Sequence, residues 1–291
     1  MITQVLAAVL LIALGFLTAR GVVRRKRVAA LIAADPSARS RFFLRYLVRF
    51  WLLTALVPAI AWSSPDLSAA NLGWIWPSGV RGYLAAAYYV VLLLISGFRA
   101  RKRMRSGHVI PRRARTAFLI PQTARERRLA VAVSITAGIT EETIFRGALV
   151  AIGVSLYHLP FLVAAAGSLL LFTAGHLHQG TRGALGAGLL GGLFAALFAF
   201  SGGSLLLPIS VHIIQDLVAL LLIPAHPTPR EPARSTPAAA STTPPNPRTP
   251  PTHPASPAPS PMQPVRNAAP AAVTPGEELT PPPSDGADAP R

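Results

Sequence analysis

Along the first 224 residues, apolar side chains fall into long runs separated by short, strongly basic segments. A helix needs about 20 mostly apolar residues to cross a bilayer. Seven stretches approach that length: roughly 2–19, 46–63, 82–98, 129–154, 160–178, 184–201 and 204–224. The pattern predicts an all-α fold, a polytopic transmembrane bundle of about seven spans. The first run resembles a signal peptide. No basic residue precedes it, however, and "RGVVRRKR" follows it, so it reads as an uncleaved span with its far end held inside.

Composition sharpens this picture. The chain has 291 residues, 51% of them hydrophobic and 13% charged, with a mean hydropathy of +0.44, too apolar for an ordinary soluble domain. Lys and Arg outnumber Asp and Glu by 28 to 11, in clusters at the ends of apolar runs. That placement marks topology and argues against nucleic acid as a partner. The basic segments from Arg20 to Arg49 and from Arg99 to Arg128 would be cytoplasmic, and "SSPDLSAANLGWIWPSG" would face outside with its tryptophans at the interface. The reading is a multi-pass cell-membrane protein with the amino terminus outside. There is no cysteine, which excludes disulfide and thiolate chemistry. From residue 225 onward the chain is rich in Pro, Ala, Ser and Thr, and its five Arg are balanced by five acidic residues. Residues 225–291 are therefore expected to be a disordered cytoplasmic tail.

Polar groups inside the apolar runs point to chemistry. An ionisable side chain at mid-bilayer costs on the order of 2.5–3.5 kcal/mol, so such groups face the bundle interior and mark function. They are Glu141, Glu142, Arg146, His176, His178, His212 and Asp216. Glu142 and Arg146 are four apart, stacked on one helix face with the acid first, the favourable order for an ion pair. Glu141 points about 100° away. One carboxylate is thus neutralised while the other is left for chemistry. His176 follows Phe172 by four residues at the end of its run, and His178 reads as interfacial. His212 and Asp216 share a face of the last span, where an Asp can orient an imidazole. Gly188 and Gly192, four apart, would let another helix approach closely, so the helix that bears them supports a site rather than forming one. Counted from Leu129, Glu141 lies about 18 Å into its span, whereas His176 lies within a turn of its own span's end.

Three segments, "EETIFRG", "FTAGH" and "HIIQD", resemble the EExxxR, FxxxH and HxxxN/D signatures of the CPBP group. That group comprises the CAAX prenyl proteases of the Ras-converting type and their bacteriocin-processing or immunity relatives. The resemblance covers about residues 125–224 and divides the chain into three parts. Residues 1–124 form amino-terminal spans and basic loops, 125–224 a protease-like core, and 225–291 the tail.

The resemblance implies an intramembrane endopeptidase that hydrolyses a peptide bond of a membrane-associated protein or lipidated peptide with activated water. Position by position, it makes Glu141 the general base and His176 a holder of the water, with His212 and Asp216 lining the oxyanion site. Glu142, Arg146 and Phe172 become supporting residues. Asp216 stands where many members of the group have Asn, and an ionised Asp accepts but does not donate. Glu141, His176 and His212 also make up the two-histidine, one-carboxylate ligand set of some zinc centres, so the alternatives are glutamate chemistry without a cofactor, which is favoured, and Zn2+. Two other functions compete: a non-catalytic peptide-binding or immunity protein with the same polar core, and a proton-coupled transporter relaying protons through Glu141, His176 and Asp216.

Overall fold

Apolar runs flanked by Arg, Lys, Ala and Leu, all good helix formers, propagate helices well past the hydrophobic stretch itself. In the computed structural model, which describes residues 1–35, 37–110 and 116–224, helix α1 spans Ile2–Ala34 and α2 spans Ser37–Thr54. The basic segment "RGVVRRKR", expected to be a loop, is therefore helical. Helix α3, Leu56–Trp62, continues α2, and α4 spans Val80–Arg105. Next come α5, Ala124–Glu142, a π-helical turn at Thr143–Ala148, and α6, Leu149–Ser155, in one uninterrupted helical run. The remaining helices are α7, Phe161–Gly175, α8, Thr181–Phe200, and α9, Leu206–Leu217, the last extended by a second π turn, Val218–Leu222. No strand occurs among the described residues. The tail, 225–291, lies outside them.

A helix thus stands at each of the seven apolar stretches, but five are long and apolar enough to cross a membrane: Ile2–Ala34, Ser37–Trp62, Val80–Arg105, Phe161–Gln179 and Thr181–Phe200. Leu206–Leu222 is a shorter apolar helix. The expected fourth span differs because Glu141, Glu142 and Arg146 interrupt its apolar character and the π turn divides it. Its helix also begins at Ala124, beside the Arg39 end of α2, so a count from Leu129 does not measure depth.

The start of α5 is built by its sequence. Thr123 and Glu126 form a capping box in which the Thr123 hydroxyl accepts from the Glu126 N–H and the Glu126 carboxylate accepts from the Thr123 N–H. Glu126 also accepts from the Gln122 N–H at 2.7 Å and pairs with Arg39 at 2.8 Å. Arg39 in turn donates to the Phe118 carbonyl. Burial pushes the Glu126 carboxyl up, but the Gln122 N–H, the Arg39 guanidinium and the Thr123 N–H outweigh it and hold the group below its ordinary value. A carboxylate lowered on folding adds stability that is complete above its unfolded pKa and lost as pH falls through the folded one. Glu126→Gln should therefore cost about 1–3 kcal/mol at neutral pH. In thermal unfolding, its deficit against the parent protein should close as pH drops below about 4.

Beyond this start, α5 follows α2, with Phe43 packed on Ala130 and Val133 and the Trp51 indole N–H donating to Thr136 Oγ1. The end of α5 crosses α9 at Gly138, where an added Cβ would lie 2.6 Å from Ile213 Cγ1 and 3.1 Å from the Ile209 carbonyl oxygen. No larger residue fits there without parting the two helices that carry the Glu and His motifs. At the opposite end of the bundle, the segment between α3 and α4 is tied to the α8–α9 turn. Leu205 N–H donates to the Gly73 carbonyl at 2.8 Å and the Ser204 hydroxyl to the Ile75 carbonyl at 2.6 Å. Trp74 and Trp76 stand exposed beside these bonds.

Candidate active site

The π turn begins directly after Glu142, and it changes what the helix can hold. A wider turn loosens the backbone ladder, so its carbonyls need other donors. The Ser168 hydroxyl of α7 supplies one, bonding the Phe145 carbonyl. Two oxygens at this point, Glu142 Oε2 and Thr143 Oγ1, are buried with no hydrogen-bond partner among the described residues.

Glu142 is fully buried, and its other oxygen, Oε1, accepts twice: from Arg146 Nη1 at 3.1 Å and from His212 Nδ1 at 2.8 Å. The i,i+4 pair expected from spacing is present, and it also holds the histidine of α9. Arg146 extends the network by donating from Nη2 to the Gly191 carbonyl of α8 at 2.8 Å. Its guanidinium lies 4.5 Å from the Phe172 ring centroid and 5.7 Å from that of Phe194. One buried cation therefore ties together the π turn, α7 and α8. Gly191 is the close-approach glycine here, since a Cβ on it would strike Phe172 at 2.8 Å. Of the two glycines picked out by spacing, Gly188 packs on Thr173, whereas Gly192 makes only ordinary contact with Leu169.

Glu141 has a different environment. It is 8% exposed, and Oε1 accepts from the Tyr46 hydroxyl of α2 at 2.8 Å. No ion pair to Glu141 occurs among the described residues. His176 caps the end of α7, where the helix gives way to the 3₁₀ turn Leu177–Gln179 and Gly180 at φ +81. Its Nδ1 lies 2.8 Å from the Phe172 carbonyl. A carbonyl only accepts, so Nδ1 carries the proton and Nε2 of the neutral ring keeps its lone pair. Phe172 thus orients His176 through its backbone while its ring meets Arg146. His178 bonds the Gly175 carbonyl in the same way at 2.9 Å and is partly buried in this turn, against the side of α1 at Gly21.

His212 is held differently from the expectation. Its Nδ1 is bonded to Glu142, and Nε2 lies 4.0 Å from Asp216, beyond hydrogen-bonding distance. Glu142 rather than Asp216 orients the ring. Asp216 is partly exposed and lies within electrostatic reach of His212, Glu141 and His176. The four groups Glu141, His176, His212 and Asp216 therefore converge from α5, α7 and α9.

Two tyrosines escaped the sequence reading. Tyr46 bonds Glu141, and the Tyr89 hydroxyl of α4 donates to Gln215, the neighbour of Asp216. Both lie upstream of the motifs, and a tyrosine at a span end reads as an interfacial anchor. No signal in the sequence pairs them with residues about a hundred positions away.

Among the described residues, no group of three His, Asp or Glu side chains is disposed to hold a metal ion. Glu141 Oε1, His176 Nδ1 and His212 Nδ1 are engaged, by Tyr46, the Phe172 carbonyl and Glu142 respectively.

Residues 125–218 match the family model described as Rce1-like, type II CAAX prenyl endopeptidase. Over that stretch the resemblance drawn from the three motifs is borne out, and the family is one of peptidases. No curated protein and no solved structure matches the chain.

Proposed function

We propose, from the premise that residues 125–218 are an Rce1-like core, that this membrane protein is an intramembrane endopeptidase using Glu141 as general base. The observation that carries the reading is the division between adjacent glutamates. Glu142 is consumed by Arg146 and His212, while Glu141 is buried with a single neutral donor and lies within electrostatic reach of His212 and Asp216.

In this mechanism Glu141 takes a proton from water as the water oxygen bonds to the scissile carbonyl carbon. The Nε2 lone pair of His176 accepts a hydrogen bond from the water's second O–H, which stays intact, and holds the water in line. The tetrahedral oxygen receives a hydrogen bond from Nε2–H of His212 in its cationic form, with Glu142 and Asp216 as counter-charges. Glu141 then returns the proton to the leaving nitrogen as the C–N bond breaks. Asp216, 4.0 Å from His212 Nε2, acts here as a negative charge that keeps the ring cationic, which removes the need for it to donate. The substrate class is a peptide or lipidated protein presented at the membrane. The chain would cross the bilayer seven times, with the amino terminus outside and the tail in the cytoplasm, an orientation supported by the alternation of basic segments.

The test is cleavage of a quenched prenylated CAAX peptide, and of a membrane-peptide library, by detergent-purified full-length protein. Turnover that survives chelator, and falls about a hundredfold in His176→Ala, is the expected result. Folded protein with no turnover on any substrate would overturn the reading, and activity lost to chelator and restored by Zn2+ would overturn its metal-free chemistry.

Tyr46 holds one oxygen of Glu141, so the other is aimed at the water. Tyr46→Phe should lower kcat by about tenfold while KM stays unchanged, the scale of one hydrogen bond to a charged group. A rise in KM with unchanged kcat would assign Tyr46 to substrate binding instead.

A further inference from the structure

Helices α1 and α2 leave a groove of about 620 Å³ between them. Its floor is hydrocarbon, with Phe16 and Leu17 on one side and Leu44, Val48 and Leu52 on the other. Arg45 and Arg49, one turn apart on α2, also line it. The Arg20 guanidinium lies 5.9 Å from the Phe16 ring, at the same rim, and both Arg20 and Arg45 act on Arg49 as like charges. Among the described residues, no carboxylate lines the groove. Of the acidic side chains bonded to residues of α2, Asp35 is taken by Arg41, Glu126 by Arg39 and Glu141 by Tyr46.

Positive-inside placement explains basic residues at this level, but it does not explain three guanidinium groups gathered on one apolar groove without a counter-charge. Like charges held together repel, and they repel more where apolar walls limit hydration. An anion relieves that cost, and the guanidinium fork matches phosphate oxygens in pairs. A hydrocarbon groove beneath the fork takes an acyl chain, as a groove on the membrane face must.

We infer that the α1–α2 groove binds one anionic phospholipid, with its phosphate between Arg20, Arg45 and Arg49 and an acyl chain along Phe16, Leu17, Val48 and Leu52. The lipid would come from the cytoplasmic leaflet, where anionic headgroups concentrate. The site adjoins the chemistry through sequence alone: Arg45 precedes Tyr46, the residue bonded to Glu141. The inference does not depend on peptidase activity.

Native mass spectrometry of the full chain, released from detergent after incubation with phosphatidylglycerol or phosphatidylcholine, tests it. The expected result is one retained phosphatidylglycerol and no retained phosphatidylcholine. Retention should fall about tenfold or more in Arg45→Gln/Arg49→Gln and stay at the parent level in Arg101→Gln/Arg103→Gln, which removes as much charge elsewhere. Val48→Trp, which fills the groove and keeps all three arginines, should also release the lipid. Monodisperse elution on size exclusion establishes that each variant is folded. Equal retention of both lipids, unchanged retention in the Arg45/Arg49 or Val48 variant, or equal loss in the control pair would overturn the site. Displacement of the lipid by inorganic phosphate would show a free-anion site instead and overturn the lipid assignment.

Discussion

Glu141→Gln should reduce kcat by about a hundredfold or more while leaving the melting temperature of the detergent-purified protein unchanged. The amide is isosteric with the carboxylate, and its oxygen still accepts from the Tyr46 hydroxyl, so the packing around α2 and α5 survives. What is lost is the ability to take a proton from water. Because Glu141 makes no ion pair with any described residue, removing its charge strands no cation. Turnover within about tenfold of the parent protein would sink the assignment of Glu141 as the base.

Its neighbour should behave in the opposite way. Glu142→Leu should cost about 3–5 kcal/mol and deplete the folded protein before any question of turnover arises. The carboxylate is fully buried and is the common acceptor for Arg146 and His212, so its loss leaves a buried guanidinium without its counter-charge. The double variant Glu142→Leu/Arg146→Leu should recover part of the lost stability, since replacing both members of a buried pair by apolar groups is often near neutral. It should remain inactive, because nothing then orients His212. The measurements are the midpoint of thermal unfolding and the yield of monodisperse protein for the two single variants and the double. A Glu142→Leu protein as stable as the parent would contradict the network. Together the two predictions separate a glutamate that reacts from a glutamate that holds.

Glu142 and Arg146 were paired from spacing because the interaction lies within one helix, where 3.6 residues per turn decides who meets whom. Spacing failed where the partner lies on another helix. His212 and Asp216 are also four apart, yet the ring bonds Glu142, because the crossing of α5 and α9 at Gly138 brings a buried carboxylate nearer than the partly exposed Asp216. The same limit applies to the glycines. A four-residue repeat singles out Gly188 and Gly192, while the residue whose carbonyl accepts the hydrogen bond from Arg146 is Gly191, since the direction of approach of α7 and the π turn selects the face.

The chain by itself determined that this is a membrane protein of helices, because hydropathy and helix length are local properties set against a bilayer of known thickness. It also picked out Glu141, Glu142, Arg146, His212 and Asp216 as the costly polar groups of the apolar runs, because an ionisable side chain there must be held inside the bundle. The ordered motifs resemble those of a peptidase family whose model matches residues 125–218. Only the tertiary structure decided which helices meet at the motif residues, that Tyr46 and Tyr89 from the amino-terminal helices reach Glu141 and Gln215, and that Glu142 rather than Asp216 holds His212. It also brought Arg20 of the first helix within electrostatic reach of Arg49 on the second. These are contacts between residues far apart in the chain, and their geometry is set by how whole helices pack, which no local pattern of side chains records.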